Sequence, residues 1–377
     1  MTTIYLIRHT ESEGNLFRTC QGQREELLSQ TGLKQCKALH QRFRKIHVDA
    51  VYSSDLYRSA LTAQSIVRAQ APEVPHYAAP ELREKALGKL EGQSWGTVFR
   101  RYPDMRAGKI DGGLHDIGGE NDAELRSRAT ACMERIAKRH PGQSIAVISH
   151  GGCISAFLRA TFTGDPRLSK VCGNTSITTM YYEDGTWTLG EIHDSSHLDK
   201  AGVPHASLFR EGVTDLWYKP VDYQQDEEML RRLGTDAWRT VYGNTDRFNP
   251  EIFLENAQKM CRFEGCASFC MDDDKIAGLL LLDPMQDEEP GIGHISLIYL
   301  EPEYRYRGIG CQLIGRASVV YRAMGMEKLR LHVARQNKHA IHFYRKHGFE
   351  NSAFPSLSGQ LVMKKNIGIP KFEFTPW

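Results

Sequence analysis

Thr2-Thr3-Ile4-Tyr5-Leu6-Ile7-Arg8-His9-Thr10 stands at the head of the chain, and Ser144-Ile145-Ala146-Val147-Ile148-Ser149-His150-Gly151-Gly152 repeats its plan far downstream. In both, a short β-branched apolar run ends on a histidine. Ile4–Ile7 and Ser144–Ile148 therefore read as buried strands. Working outward, Thr31–Lys45 carries Leu33, Cys36, Leu39 and Phe43 at helical spacing. Asp49–Ser53 reads as a strand, and Tyr57–Gln70, Asn121–Arg139 and Gly152–Phe162 read as helices. Thr178–Tyr182 and Thr186–Ile192 flank Glu183-Asp184-Gly185 as a hairpin. Alternating strand and helix implies a mostly parallel sheet with helices on both faces. His9 and His150 then lie just past the carboxyl ends of strands, where open α/β sheets bind ligands.

The residue types at these strand ends suit phosphoryl transfer. A neutral imidazole at His9 attacks phosphorus and divides one hard displacement into two easier ones. Charge spread over the phosphoryl oxygens needs fixed donors, and Arg8, Arg58 and His150 supply them. Guanidinium forks match phosphate geometry better than a point charge does. The leaving alkoxide needs a proton, and Glu84 stands ready to give it and then to activate water. Guanidinium charge takes the place of a metal in this scheme. His40, His47, His76, His115 and His140 read as solvated or structural, and Cys153 as a packed small residue.

These residues resemble the histidine phosphatase superfamily, which includes phosphoglycerate mutases and small-molecule phosphatases. The resemblance covers about residues 1–198 and extends to Asn15, Gln21-Gly22, Leu28–Gly32, Gly118-Gly119-Glu120, Asn174-Thr175-Ser176 and Trp187-x-Leu189. It implies a three-layer α/β/α fold, a phosphohistidine at His9, a proton donor at Glu84 and a phosphate pocket of Arg8, Arg58 and His150. It places Asn15, Gln21 and Gly22 on the substrate side. Thr10 stands where glycine is common in that family. The domain lacks the insertions usual in glycolytic mutases, so water is the expected acceptor, with mutase-type phosphotransfer as an alternative.

Beyond a polar stretch at Ser195–Gly212, interrupted by Pro204, a new α+β pattern begins. Asp215–Pro220 reads as a strand, and Asp226–Val241 and Pro250–Phe263 as helices. Cys266–Met271 and Ile276–Leu281 are strands about an Asp272-Asp273-Asp274 turn. His294–Leu300 is a strand, Ile309–Gly325 a helix, Leu329–Ala334 a strand, Lys338–His347 a helix and Gln360–Lys364 a strand. Between strand and helix lies Arg305-Tyr306-Arg307-Gly308-Ile309-Gly310. Backbone N–H groups at such a helix start converge on anions. With Asn337 and Tyr344 on the later helix, the pattern resembles the GNAT N-acetyltransferase (acyl-CoA N-acyltransferase) family over about residues 212–366. The resemblance implies a mixed sheet and acetyl-CoA as co-substrate. Arg305, Arg307, Gly308, Ile309 and Gly310 would sit at its pyrophosphate, with Ile298 and Leu300 along its pantetheine. Asn337 would contact the cofactor and Tyr344 would protonate the departing thiolate. His294 and Glu301 are candidate bases, and the acceptor is an amine whose pocket comes from Asp226–Phe263.

The division expected is a phosphatase domain at 1–200, a linker at 201–211, an acetyltransferase domain at 212–366 and a tail at 367–377. The tail's Phe372, Phe374 and Trp377 dock either on a domain of the same chain or on a second copy, which would make a homo-oligomer. Charged residues are 25% of the 377 and the net charge is +2, which points to neither nucleic acid nor a membrane as partner. No basic region precedes the first apolar run, so no secretory leader and a cytoplasmic setting are expected. Nine scattered cysteines fit free thiols, with Cys261, Cys266 and Cys270 buried and unligated rather than metal-binding. The partners expected are a phosphorylated metabolite and a small amine. Two alternatives stand beside the bifunctional enzyme: a phosphatase regulated by a non-catalytic acetyl-CoA-binding module, and a phosphoprotein phosphatase. The second ranks last because the long Lys89–Gly119 loops would cover His9.

Overall fold

The computed structural model describes residues 1–106, 114–169, 172–205, 213–286, 289–352 and 359–376. Linker residues 206–211, Trp377 and part of the Lys89–Gly119 stretch lie outside them. The N-terminal half runs β1 (Thr2–Arg8), α1 (Glu13–Leu16), α2 (Gln30–Phe43), β2 (Ala50–Ser53), α3 (Tyr57–Val67), β3 (His76–Ala78), α4 (Trp95–Arg101), α5 (Pro103–Arg106), α6 (Asp122–Arg139), β4 (Ser144–Ser149), α7 (Gly151–Thr161), β5 (Ile177–Glu183), β6 (Thr186–Leu189) and α8 (Ser196–Ala201). The strands lie in the order β3-β2-β4-β1-β5-β6. β3, β2, β4 and β1 are parallel, and β5 and β6 add antiparallel pairs.

Successive strand residues point to opposite faces. Ile4, Leu6, Tyr52 and Val147 pack with Met133 and Phe157 of α6 and α7. Ile7, Val51, Ala146 and Ile148 pack with Leu39, Phe43 and Ile66 of α2 and α3. Three layers follow, and fully burying each such side chain contributes about 1.5–3 kcal/mol. Polar side chains cap the helix starts: Ser29 accepts from Gly32 N–H at the head of α2, and Asn121 forms a capping box with Glu124 at α6.

The C-terminal half runs β7 (Trp217–Pro220), α9 (Tyr223–Tyr242), α10 (Pro250–Met260), β8 (Ala267–Asp272), β9 (Lys275–Asp283), β10 (Ile292–Leu300), α11 (Cys311–Ala323), β11 (Lys328–Val333), α12 (Lys338–Lys346), β12 (Glu350–Asn351) and β13 (Leu361–Asn366). Its sheet is ordered β12-β13-β11-β10-β9-β8-β7 and is antiparallel except for β10 with β11. That parallel pairing starts at Ile292–Lys328 and stops at Ile295–Leu331. A register shift in β10 between Ile295 and Leu297 coincides with the stop. The two strands splay apart from there.

The structure adds elements to the sequence reading. Ser196–Ala201 is helical where only irregular chain was expected, with His197 and Leu198 buried and Gly202 closing it in the left-handed region. β3 is three residues long, too short for periodicity to reveal. The C-terminal tail docks on the N-terminal half of the same chain. Thr375 N–H donates to His76 O at 2.8 Å, Phe372 meets Tyr57 edge-on at 5.5 Å, and Phe374 meets His76 at 5.0 Å. The nine cysteines are free; Cys266 and Cys270 are buried in the core and Cys261 is half-buried. No helix among the described residues is long and apolar enough to cross a membrane.

Candidate active sites

Strand register brings the two histidines together. β1 and β4 are adjacent and parallel, with Arg8 level with Ser149. The next residues, His9 and His150, leave the sheet side by side, and their ring centroids lie 4.9 Å apart. His9 is 3% exposed and His150 is fully buried. His9 Nδ1 lies 2.7 Å from its neighbour Thr10's carbonyl oxygen. A carbonyl only accepts, so Nδ1 carries the proton and Nε2 keeps its lone pair. Asn174 Nδ2 donates to His9 O at 2.8 Å and fixes the backbone. His150 Nε2 contacts Ser54 Oγ at 2.6 Å.

Arg8 and Arg58 complete the ring of charge. Arg8, the last residue of β1, donates from Nη1 to Cys172 O at 2.7 Å. Arg58, in the first turn of α3, is 1% exposed. Its Nη1 and Nη2 donate to the carbonyls of Arg24 and Gly22, each at 2.8 Å. Burial first, then the Arg58 and Arg8 charges, hold the His9 pKa well below the usual imidazole range. His150 is lowered in the same way, by burial, Arg58, His9 and Arg8. Both rings are therefore neutral near pH 7. Arg8 Nε, Arg58 Nε and His150 Nδ1 are buried with no hydrogen-bond partner among the described residues. Polar atoms left so are costly, and an anion with several oxygens suits such a cluster.

Glu84 approaches from the loop after β3. Its Oε2 accepts from Gly152 N–H at 3.1 Å, at the start of α7 beside His150, and its Oε1 from Lys85 N–H at 2.8 Å. Arg128 of α6 gathers that loop by donating to the carbonyls of Glu81, Arg83 and Glu84 at 2.6–2.9 Å, and Glu120 orients it. Asn15 and Gln21 lie together, both turned toward Ser12. Asn15 Oδ1 accepts from Ser12 N–H at 3.1 Å, and Gln21 Oε1 accepts from Ser12 Oγ–H at 2.7 Å. Gly22 is left-handed at φ 51°, which lets its carbonyl reach Arg58. Sequence reasoning missed Arg24 and Arg128 and gave no role to Ser54, which contacts His150. Cys153 is buried and its thiol is pushed up to about 11 by burial, in keeping with a packed residue.

The C-terminal half has its own cleft where β10 and β11 part. A cavity of about 280 Å³ is lined by Ile295–Ile298, Leu331–Ala334, Asn337 and Tyr344 on the strand side. Trp238, Tyr242, Phe248 and Phe253 close it from α9, α10 and the loop between them. Gly308 sits in the left-handed region at φ 76°, and a Cβ there would meet nothing within 4 Å. The loop before α11 is thus open around its backbone, which fits a cradle for a pyrophosphate. Ile309 is buried in the core, so only its backbone can meet a ligand. Arg307 rests over Tyr304, while Arg305 donates from Nε to Leu300 O at 2.8 Å and lies over Tyr299. Arg305 thus braces the strand end that Leu300 closes. Gly310 lies where a Cβ would press on Phe343 at 3.3 Å. Asn337 caps α12 by accepting from Ala340 N–H at 3.1 Å.

Tyr344 is buried at the cavity wall, and burial raises its phenol pKa, so it holds its proton. The two candidate bases lie elsewhere. His294 is buried against His332 outside the cavity lining, and its pKa is lowered to about 4 by burial and then His332. Glu301 accepts from Arg232 at 2.7 Å and from Tyr299 Oη at 2.9 Å. The imidazole that lines the cavity is His332, which the sequence reading passed over. It alternates with Leu331 and Val333 on β11, and only the splay of the strands turns it inward.

Residues 4–195 match the model of the Histidine phosphatase superfamily (branch 1), and residues 228–349 match that of the Acetyltransferase (GNAT) family. The chain belongs to the histidine phosphatase superfamily and carries a GNAT acetyltransferase domain in its second half. Its N-terminal half is 34% identical over 209 residues to the metal-independent phosphoserine phosphatase of Arabidopsis thaliana, spanning 54% of this chain and 85% of that protein. It is 30% identical over 210 residues to phosphoserine phosphatase 1 of Hydrogenobacter thermophilus, spanning 52% and 95%. Phosphoglycerate mutase-like protein 4 of Arabidopsis thaliana is 31% identical over 204 residues, spanning 53% and 88%.

Proposed function

We propose that the chain is a bifunctional cytoplasmic enzyme with a phosphatase domain at 1–200 and an acetyltransferase domain at 212–366. The first hydrolyses a small phosphate monoester, and the names of two relatives make phosphoserine the ester to try first. The observation that carries the reading is the buried His9–His150 pair at adjacent strand ends, 4.9 Å apart, with the Arg8 and Arg58 charges acting on both rings. His9 Nε2 attacks phosphorus and the bond to the ester oxygen breaks. Arg8, Arg58 and His150 hold the three phosphoryl oxygens while charge builds on them. Glu84 gives its proton to the departing alkoxide. The resulting carboxylate then takes a proton from water, whose oxygen attacks the phosphohistidine and restores His9. Asn15, Gln21 and Gly22 face the rest of the ester. Guanidinium charge makes a metal unnecessary.

For the second domain, acetyl-CoA supplies an activated thioester. The loop of Arg305, Arg307, Gly308, Ile309 and Gly310 would hold its pyrophosphate through backbone N–H groups. The Ile298–Leu300 edge and Asn337 would hold its arm, and Tyr344 Oη keeps the proton a departing thiolate takes up. The aromatic wall of Trp238, Tyr242, Phe248 and Phe253 has no charged residue among its described lining, which suits an amine with an apolar body. A second reading makes this domain an acetyl-CoA-binding regulator without chemistry; the packing of α11 against the phosphatase half favours it. It prevails if acetyl-CoA changes the phosphatase rate yet is consumed with no amine.

The deciding experiment is a screen of phosphorylated metabolites with wild type and His9→Ala. The variant is expected to lose nearly all turnover while keeping its fold, and rapid quench of wild type is expected to trap an acid-labile phosphohistidine. An active His9→Ala chain removes the nucleophile. Transfer to a second hydroxyl instead of water would mark a mutase.

A further inference from the structure

The stretch from Glu11 to Glu26 carries Asn15, Gln21 and Gly22 of the phosphatase site, and part of its support comes from the acetyltransferase half. Its only regular structure is α1, a helix of four residues. Its carbonyls at Gly22 and Arg24 are the ones that hold both terminal nitrogens of Arg58. Arg24 itself reaches across the chain, donating from Nη2 to Val319 O of α11 at 3.4 Å. Its Nε lies 3.7 Å from Glu26.

Glu26, with a side chain 4% exposed, accepts from Arg322 Nη1 at 2.9 Å. Arg322 closes α11, and its Nε donates to Ile367 O at 2.7 Å, which locks the guanidinium plane. Its Nη2 lies 3.7 Å from Glu13, the first residue of α1, and Glu13 also pairs with Lys365 of β13. The cluster is buried: Arg322 is 11% exposed, and Glu13 and Lys365 are 6%. Phe17 closes the same contact against Gly315 of α11, where an added Cβ would collide with the Phe17 Cβ. Two carboxylates at either end of the stretch are thus fixed by cations from the other half. The two carbonyls that seat Arg58 lie between them.

We propose that Arg322 is a positioning residue for the phosphatase site, acting from the acetyltransferase domain through Glu26 and Glu13 to hold the Gly22 and Arg24 carbonyls against Arg58. This rests on the phosphatase reading above. A plain interdomain tie would stabilise the assembly and leave phosphate affinity alone. A positioning residue alters how the pocket grips an oxyanion, because Arg58 moves with its carbonyl seat.

The test uses the full chain and two readouts: orthovanadate binding by calorimetry, and kcat/KM for the ester the wild type hydrolyses best. Arg322→Met is expected to weaken both at least about tenfold, since small displacements of a catalytic group are costly. Arg322→Lys keeps the charge and recovers most of the loss. Acetyl-CoA affinity stays unchanged in both. Asp274→Asn removes a different tie between the halves, the Arg100–Asp274 pair at 3.0 Å, and is expected to leave vanadate binding at the wild-type value. If Arg322→Met fails to fold, Arg322→Met with Glu26→Gln removes both charges and carries the same expectation. Wild-type vanadate affinity in a folded Arg322→Met chain, or in the double variant, overturns the proposal. A wild-type chain that binds no vanadate and cleaves no ester removes the phosphatase reading itself, and this inference with it.

Discussion

Replacing Gly152 with alanine isolates the proton-donor role of Glu84 from the rest of the site. Gly152 stands in the first turn of α7, beside His150, and its N–H holds Glu84 Oε2 at 3.1 Å. A Cβ on Gly152 would overlap Glu84 Oε1 and lie 3.2 Å from its Cδ. The Glu84 backbone cannot yield, because Arg128 grips the carbonyls of Glu81, Arg83 and Glu84 at 2.6–2.9 Å. The carboxylate must therefore swing aside by about 1 Å, a displacement that can cost on the order of 100-fold in rate. Alanine is the better helix former by roughly 0.5–1 kcal/mol, so the helix itself does not suffer.

Two substrates separate the possibilities. Phosphoserine releases a strongly basic alkoxide that needs a proton, whereas p-nitrophenyl phosphate releases a stabilised phenolate that does not. Gly152→Ala is expected to lower kcat on phosphoserine by about 10- to 100-fold and on the aryl ester by less than about threefold. Glu84→Gln sets the limit, with about 100- to 10,000-fold on the alkyl ester. Equal losses on both esters would show that the substitution damages the phosphate pocket and not the acid. No loss on phosphoserine would free Glu84 from the role altogether.

Two more outcomes follow from burial and backbone geometry. His76, His197, His294 and His347 have folded pKa values of about 4, each lowered chiefly by burial. These lie below the unfolded value of about 6.5, so the unfolded chain takes up protons that the folded chain refuses. Stability is full above that value and falls with pH by roughly 1 kcal/mol per histidine between pH 6.5 and 5.5. The urea midpoint should therefore drop sharply from pH 7.5 to 5.5, and an unchanged midpoint would refute the neutral burial of these rings. Gly308→Glu places a carboxylate on the anion-binding loop and strains a left-handed residue at φ 76°. Acetyl-CoA affinity in calorimetry is expected to fall more than about 100-fold, a loss of about 2.7 kcal/mol; unchanged affinity would move the pyrophosphate site elsewhere.

Much of this was legible in the sequence for physical reasons. Ile4–Ile7 and Ser144–Ile148 are buried on both faces of a sheet, so they appear as unbroken apolar runs, and each run points at its histidine. The longer helices α2, α3, α6 and α7 announced themselves by 3.6-residue periodicity. β3 did not, because His76-Tyr77-Ala78 is three residues held by β2 on one side and by the tail bridge at Thr375 on the other. Ser196–Ala201 did not, because six mostly polar residues with two buried side chains make no period. The surroundings of the bases expected for acetyl transfer were hidden for a related reason. Position along β10 does not reveal which side chains line the cleft: the His294 ring packs 4.9 Å from that of His332, and it is His332 of β11 that lines the cavity.

The charges joining the two halves were the least legible, and the reason is general. Nothing local marks Glu13, Glu26, Arg322 and Lys365 as buried, since charged side chains are seldom buried unless paired. Their pairing spans up to 352 positions in sequence, and no local pattern encodes it. Charged side chains are comfortable in water, so nothing in the local sequence calls for the distant partner. Only assembly makes them buried, and a buried charge that loses its partner is costly in a way that a solvated one is not. The cost therefore arises only when the two domains meet, and there it falls on the stretch that seats Arg58. A phosphatase domain of the same sequence, freed from α11, would keep His9 and His150 at their strand ends, because β1 and β4 set them. It would lose the outside hold on Gly22 and Arg24. Substrate grip should be the property most sensitive to the fusion, and the nucleophile the least.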